Sequence, residues 1–157
     1  MRDESHDESQ EGRKEMKHEK NMLTVRKENP VLPAFRHDGE SKFVKRILTL
    51  DAESVPGAEF YSEAKWILPG DISKDGILLV DSHTHAFGEL IGFCGYDYDD
   101  LIDLGAEIEF TVDNEKHIIT KSFAAFIPAG VKHGPLIVRN VRKPIFHMTA
   151  ADSGVYK

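Results

Sequence analysis

The sequence has few of the features that mark specialised classes of protein. Only one of its 157 residues is a cysteine, Cys94, which excludes an internal disulfide and suits a reducing cytoplasm. No run approaches the roughly 18 consecutive apolar residues of a membrane span, and the N-terminus has no apolar signal-peptide segment. A formal net charge of −7 argues against a general nucleic-acid binder, which needs a basic surface. We expect a soluble cytoplasmic protein without a nucleic-acid or membrane partner.

The apolar content is sufficient for one hydrophobic core. An apolar fraction of 40% over this length fits a single domain. The first 20 residues contain only Met1 and Met16 as apolar side chains, so burial there cannot offset the entropy lost on ordering. We therefore divide the chain into a disordered charged tail and lead-in over residues 1–29 and a single folded domain over residues 30–157.

Short apolar runs alternate with turn signals from residue 43 onward. Runs such as "AKWIL", "ILLV", "ELIGFCG" and "AEIEFTV" are separated by Gly, Pro, Asp and Asn. This punctuation is typical of an all-β sandwich or barrel. The segment "TVDNEKHI" predicts a tight hairpin that turns at Asp113 and Asn114. We predict one all-β barrel over residues 43–150, with no helix of ten or more residues.

Two histidines and a glutamate cluster in "VDSHTHAFGEL", residues 80–90. In a strand, residues i and i+2 share a face, so His83 and His85 point the same way and Glu89 can join them after a short turn. About 40 residues further on, "FIPAGVKHGPL" adds His133 after a Pro-Ala-Gly turn. Three imidazoles and one carboxylate suit one divalent ion among Fe, Mn, Ni, Co, Cu and Zn, and disfavour a structural thiolate zinc site.

These two segments resemble the motifs of the cupin superfamily. The first motif, a glycine, His-any-His and a later glutamate, is matched by "GILLVDSHTHAFGE", and the second, Pro-any-Gly and a later His, by "PAGVKH". The resemblance covers roughly residues 43–150. It implies a double-stranded β-helix, or jelly-roll, barrel with one metal ion in its mouth. The implied metal ligands are His83, His85, Glu89 and His133.

The sequence departs from the cupin motifs in its glycines. The glycine expected soon after the glutamate is best assigned to Gly105, which leaves "YDYDDLID", residues 96–103, as an insertion. This insertion is either a lid that shapes substrate choice or a solvated acidic loop. As an acidic rim of the site, it would disfavour highly anionic substrates.

Four further side chains are candidates for the pocket. Tyr61 and Trp66 flank the strand "EAKWILPG", where an aromatic residue can orient a substrate or wall a cavity but is more often part of the core. Phe87 shares the odd-numbered parity of the predicted ligands. His147 lies between two apolar residues, and it faces outward if those two face the core.

The resemblance leaves the activity open, because cupins include dioxygenases, isomerases, decarboxylases and lyases as well as binding or sensing modules. An octahedral ion with the four ligands keeps two positions for water, dioxygen or substrate oxygens. We favour a metal-dependent enzyme acting on a small oxygenated molecule. The alternative is a non-catalytic metal- or small-ligand-binding module. A general acid or base facing the metal would favour catalysis, whereas purely apolar walls would favour binding.

The resemblance also implies a homodimer, because single-barrel cupins often pair through their sheet edges. Pairing covers open edges and apolar outer faces that would otherwise be exposed. The segment "NPVLPAF", residues 30–36, is the candidate for a strap across the partner.

Overall fold

The computed structural model describes residue 14, residues 16–24 and residues 31–157. Most of the predicted tail and most of the lead-in before residue 31 lie outside the described residues, so the division of the chain near residue 30 stays a prediction. Within the described part, the one helical segment is a 3-10 turn, Glu19–Asn21. None of the described helical structure is long and apolar enough to cross a membrane.

The described residues form nine strands in two antiparallel sheets. One sheet has the order β1-β2-β9-β4-β7 and the other the order β3-β8-β5-β6. This is a jelly-roll barrel, so the all-β fold class predicted from the sequence is confirmed. The strands are β1 (Val44–Leu50), β2 (Tyr61–Ile67), β3 (Ile77–Val80), β4 (Glu89–Gly95), β5 (Asp103–Val112), β6 (Glu115–Lys121), β7 (Phe123–Ile127), β8 (His133–Arg139) and β9 (Ile145–Ala151).

The hairpin between β5 and β6 turns where the sequence predicts it. Asp113 and Asn114 have φ values of 47° and 66°. Asp and Asn tolerate this left-handed region because their short polar side chains can bond to the local backbone. The turn therefore joins two strands with no further loop residues.

The apolar core fills one part of the space between the two sheets. Strands β5 and β8 supply Ile108, Phe110 and Val138 to it, all nearly or fully buried. Across the barrel, β2 and β9 bury every second residue. Several of those inward residues are polar, however, including Glu63 and Lys65. Buried charges must find partners, so this part of the interior is where a site is to be sought.

The lead-in segment lies on its own barrel. Arg36 forms an antiparallel bridge with Val80 at the end of β3. On either side of it, the amide of Asp81 donates to the carbonyl of Phe35 and that of His37 to the carbonyl of Leu79, each over 2.8 Å. At these residues the segment therefore lies along β3 of the same chain, and its contact with a partner stays a prediction.

Candidate metal centre

The four residues predicted as ligands come together at one end of the barrel. Glu89 is the first residue of β4 and His133 the first residue of β8. His83 lies after the end of β3, in an isolated bridge with His133, whose two backbone hydrogen bonds are 2.9 and 3.0 Å long. His85 follows in the irregular segment before β4. The side chains of His83 and His85 are therefore brought together by this bridge and the irregular segment after it, and not by a continuous strand.

One donor atom from each of these side chains lies within 4.8 Å of the others. Glu89 and His133 are almost completely buried, at 3% and 1% exposure, and His85 is also buried. His83 is the most open of the four. The donor set is therefore closed on its inner side and more open at His83.

The backbone determines which nitrogen of each imidazole faces the centre. In His83, His85 and His133, Nδ1 lies 2.8 Å from a carbonyl oxygen two residues away along the chain. A carbonyl oxygen only accepts, so each Nδ1 carries the proton and donates it, and the lone pair of a neutral ring is on Nε2. The Nε2 atoms of His85 and His133 both lie 3.0 Å from Oε2 of Glu89.

This arrangement fits a divalent metal ion. Lone pairs on two nitrogens and on a carboxylate oxygen repel one another unless a cation lies among them, either a proton on each ring or a metal ion. Metal-binding histidines in general have the second nitrogen held by a carbonyl or carboxylate, as all three are here. The chemistry of the donor set, nitrogen and oxygen without sulfur, suits a divalent transition ion.

The charges at the centre are set by burial and hydrogen bonding. Burial raises the pKa of Glu89, but hydrogen bonds from His133, His85 and Tyr156 outweigh it and lower the pKa to about 2. Burial lowers the pKa of His83. Burial also acts to lower the pKa of His85, yet its hydrogen bond with Glu89 leaves that pKa raised. At neutral pH the centre therefore contains one carboxylate anion, that of Glu89.

Two aromatic rings stack on histidines of the candidate metal centre. Phe35 stacks on His83 with ring centroids 3.9 Å apart, and Phe87 stacks on His85 at 4.0 Å, both nearly parallel. Phe87, a candidate from its parity, is thus beside the donors. Such stacking fixes the imidazole planes and limits the access of water.

Tyr156 contacts the centre, and sequence reasoning missed it. Its hydroxyl donates to Oε1 of Glu89 over 2.9 Å and lies 3.5 Å from Nε2 of His83. Its ring lies edge-on to the rings of His85 and Phe87. No motif marks this tyrosine, because it follows the last strand and reaches Glu89 only when the segment after β9 folds back.

The other pocket candidates lie in different places. Tyr61 is buried in β2, its ring 5.1 Å from that of Tyr156. Trp66 has the opposite parity in β2, so it lies on the outer face of the sheet, edge-on to Phe146 at 5.4 Å. Trp66 therefore does not wall the cavity.

His147 faces the interior of the barrel. The apolar neighbours Phe146 and Met148 lie on the outer face of β9, the reverse of the condition under which His147 would face outward. Its Nδ1 lies 2.9 Å from the carbonyl oxygen of Gly92, and its ring stacks on Phe93. Burial first, and then the charge of Lys65, lower the pKa of His147 to about 3, so it is neutral at physiological pH.

A buried cluster of charges lies deeper in the same barrel. Arg36 Nη2 lies 2.6 Å from Asp38 and 2.9 Å from Glu63, and Lys65 Nζ lies 2.8 Å from each of those carboxylates. Arg46 reaches Glu63 at 3.2 Å. Burial opposes ionisation, but the Lys65 and Arg36 charges hold the pKa of Asp38 well below its usual range and lower that of Glu63 to about 2. We call these five residues the charge cluster.

A cavity connects the candidate metal centre with the charge cluster. Its volume is about 360 Å³, counting the open mouth. Glu89, His133 and Tyr156 line one side, and Arg36 and Lys65 line the other. The donors and the charge cluster therefore face one common space.

The acidic insertion lies away from this cavity. Glu89 begins β4 and Gly95 ends it, so residues 96–103 start seven residues, or about 23 Å along the strand, beyond Glu89. Tyr96 in the insertion packs edge-on against Trp66, on the outer face of the sheet. Of the two interpretations of this segment, the structure therefore favours the solvated loop over the lid.

No protein-family model matches the sequence, and no curated protein matches it significantly. Similar solved structures include a recombinant oxalate oxidase in complex with glycolate, at 12% identity and a TM-score of 0.47, covering 76% of this chain and 55% of that one. An RmlC-like cupin from Shewanella frigidimarina is 16% identical, with a TM-score of 0.43 and coverage of 74% and 81%. A cupin protein from Bacteroides fragilis is 16% identical, with a TM-score of 0.44 and coverage of 80% and 91%.

The chain spans about half the length of the oxalate oxidase chains that it matches. The jelly-roll fold that the resemblance to the cupin motifs implies is present in the structure. Two antiparallel sheets form the barrel, and the four motif residues gather at one end of it.

Proposed function

We propose that this protein is a metal-dependent enzyme that acts on a small oxygenated molecule. The observation that carries the proposal is the chemistry of the cavity wall: beyond the four donors, Tyr156, Arg36 and Lys65 are polar or charged groups lining the same space. A module that only holds a metal needs donors and an apolar wall. Proton transfer and stabilisation of developing charge need groups of the kind found here.

In this proposal His83, His85, Glu89 and His133 hold one divalent ion, which is Fe, Mn, Ni, Co, Cu or Zn. When bound, the ion supplies a Lewis acid for an oxygen of the substrate. The backbone carbonyls that hold each Nδ1 keep the three Nε2 atoms aimed at the centre. The protein thereby supplies a preorganised donor set.

Tyr156 is the group proposed to exchange a proton or hydrogen bond with the substrate. Its hydroxyl is oriented by Glu89 and lies beside the open face of His83. The rings of Phe35 and Phe87 flank it and limit water at the same face. A substrate oxygen that approaches His83 from the cavity meets the phenol.

The test is reconstitution followed by a turnover screen. Protein stripped with a chelator is reloaded separately with each of the six ions, and the bound metal is measured by elemental analysis. A panel of hydroxy acids, keto acids and sugars is then followed for product by NMR and for oxygen uptake. We expect about one ion per chain and turnover of a panel member by the loaded protein alone. Equal turnover by the metal-free protein would refute the proposal.

The second candidate is a non-catalytic metal- or ligand-binding module. The contact between Tyr156 and Glu89 is the observation that favours it, because a phenol that covers the donors also suits a site that only binds. Loaded protein that is stabilised against heat by a panel member but converts none of the panel would support this second function.

We also propose a homodimer and a cytoplasmic location. The outer face of the five-stranded sheet supports the first, because Phe126 is 72% exposed and is the cross-strand neighbour of the partly exposed Leu90. Apolar pairs of this kind on an outer face suit a contact between copies of the chain. The single cysteine agrees with a reducing compartment.

A further inference from the structure

The charge cluster contains more positive than negative charge. Arg36, Arg46 and Lys65 are cations, and Asp38 and Glu63 are the carboxylates that pair with them. Four of these five side chains are at most 4% exposed, and that of Arg46 is 11% exposed. An excess of one buried positive charge is costly unless an anion compensates it.

The register of the sheet places two of the three cations of the charge cluster next to each other. Arg46 of β1 and Lys65 of β2 are direct cross-strand partners, and like charges in that relation repel each other. Among the described residues, Nε and Nη1 of Arg46 are buried without a hydrogen-bond partner. The two carboxylates therefore do not satisfy all the cationic donors of the cluster.

Lys65 is a cation of the charge cluster that lines the cavity. An ammonium group has three N–H donors, and the described residues give Nζ two carboxylate partners. Lys65 lines the cavity together with Thr149, which belongs to the neighbouring strand β9. His147, the cross-strand partner of Lys65, also lines it and is neutral, so it does not supply the missing negative charge.

We propose that the cavity binds a small molecule with two anionic or oxygen-bearing ends: one end meets the metal centre, and the other is a carboxylate held by Lys65 and the hydroxyl of Thr149. This inference rests on the proposed function, since it names the substrate class of the same site. A carboxylate there compensates the cluster, and it accepts a charge-assisted hydrogen bond from the ammonium group. The acidic insertion lies at the far end of β4 and does not oppose an anion at this position.

The test uses malonamate and its neutral diamide, malonamide, which share one amide end and differ in whether the other end is a carboxylate. Binding of each to metal-loaded protein is measured by calorimetry for the wild type and for Lys65→Met, after elemental analysis has matched their metal content. We expect the wild type to bind malonamate at least about tenfold more tightly than malonamide. Lys65→Met should lose that preference. A wild type without the preference, or a variant that keeps it, overturns the proposal.

Thr149→Val keeps the shape and every charge of the cluster, so it tests the proposal if Lys65→Met does not fold. It should weaken malonamate binding about three- to tenfold, and unchanged affinity would count against the proposal. The same comparison in metal-free protein separates this inference from the proposed function. Malonamate should raise the thermal midpoint of metal-free wild type more than that of either variant, even if no metal or turnover is found. Equal shifts would overturn the anion site alone.

Discussion

The Nε2 atom of His133 lies 3.0 Å from the Oε2 atom of Glu89, with both side chains almost fully buried. Because Nδ1 of the same ring donates to the carbonyl of Val131, this short contact brings a lone pair to a carboxylate unless a cation is present. The two residues begin β8 and β4, strands of different sheets. The centre therefore joins the two halves of the barrel.

Replacing His133 or His85 with alanine should abolish stoichiometric metal, because each change removes one of four donors. The barrel should stay folded, since its core is apolar and separate from the centre. Elemental analysis after dialysis, with circular dichroism for the fold, checks this. His117→Ala is the matched control, because that side chain is exposed and lies outside the donor set. Wild-type metal content in both ligand variants would show that the proposed site is wrong.

Tyr156→Phe should leave metal content unchanged and lower turnover by about 100-fold or more, the usual range for loss of an acid–base group. The change removes only the hydroxyl that contacts Glu89 and His83. Protein loaded with Co²⁺ gives a second readout, because loss of a neighbouring phenol should alter the visible absorption of the ion. Tyr98→Phe, on an exposed side chain, serves as the control. Unchanged turnover and an unchanged spectrum together would exclude a role for this tyrosine.

His147 should make the protein less stable as the pH falls. Its pKa is about 3 in the folded state and about 6.5 when unfolded, so between these values the unfolded chain binds the extra proton. The free energy of unfolding should therefore drop by up to about 1.4 kcal/mol per pH unit from this group as the pH is lowered through that window. His147→Asn cannot take up the proton.

Denaturant unfolding of the two metal-free proteins, at several pH values from about 7.5 to about 4.5, measures this difference. The asparagine variant starts less stable at neutral pH, because it loses the stacking on Phe93. The gap between the two proteins should narrow toward acid. Parallel curves would mean that His147 titrates normally in the folded protein.

Glu63→Gln should destabilise the protein by about 3–5 kcal/mol, the usual cost of removing one partner from a buried charge network. Arg36, Arg46 and Lys65 would then share only Asp38. Urea unfolding near neutral pH gives the measurement. Glu59→Gln makes the same chemical change at an exposed position and should lie within about 0.5 kcal/mol of wild type. Equal stability of the two variants would contradict the network.

Light scattering at micromolar concentration tests the homodimer and should give twice the mass of one chain. Phe126→Asp introduces a charge on the exposed outer face and should shift the protein to monomers. The control is Ile118→Asp, which changes an exposed residue of β6 in the other sheet and should leave the mass unchanged. A wild-type monomer would end the proposal.

The strand alternation, the β5–β6 hairpin and the set of four donors could be predicted from local sequence. Strand periodicity depends on neighbours in the chain, and Asp113 with Asn114 identify the turn without any tertiary contact. His83, His85 and Glu89 lie within seven consecutive residues, so their proximity needs only a short bend. The Pro-Ala-Gly turn and the resemblance to the cupin motifs together predict His133 as the fourth donor.

Only the tertiary structure decided which face of β2 and β9 is inside. Both faces carry bulky side chains, and packing turned Trp66 and Phe146 outward while Lys65 and His147 turned inward. Alternation shows that two faces exist, but the neighbouring elements determine which one is buried. Arg36 and Tyr156 reach the cavity from segments before β1 and after β9. Such contacts depend on long-range folding of the chain, which no local pattern of residues encodes.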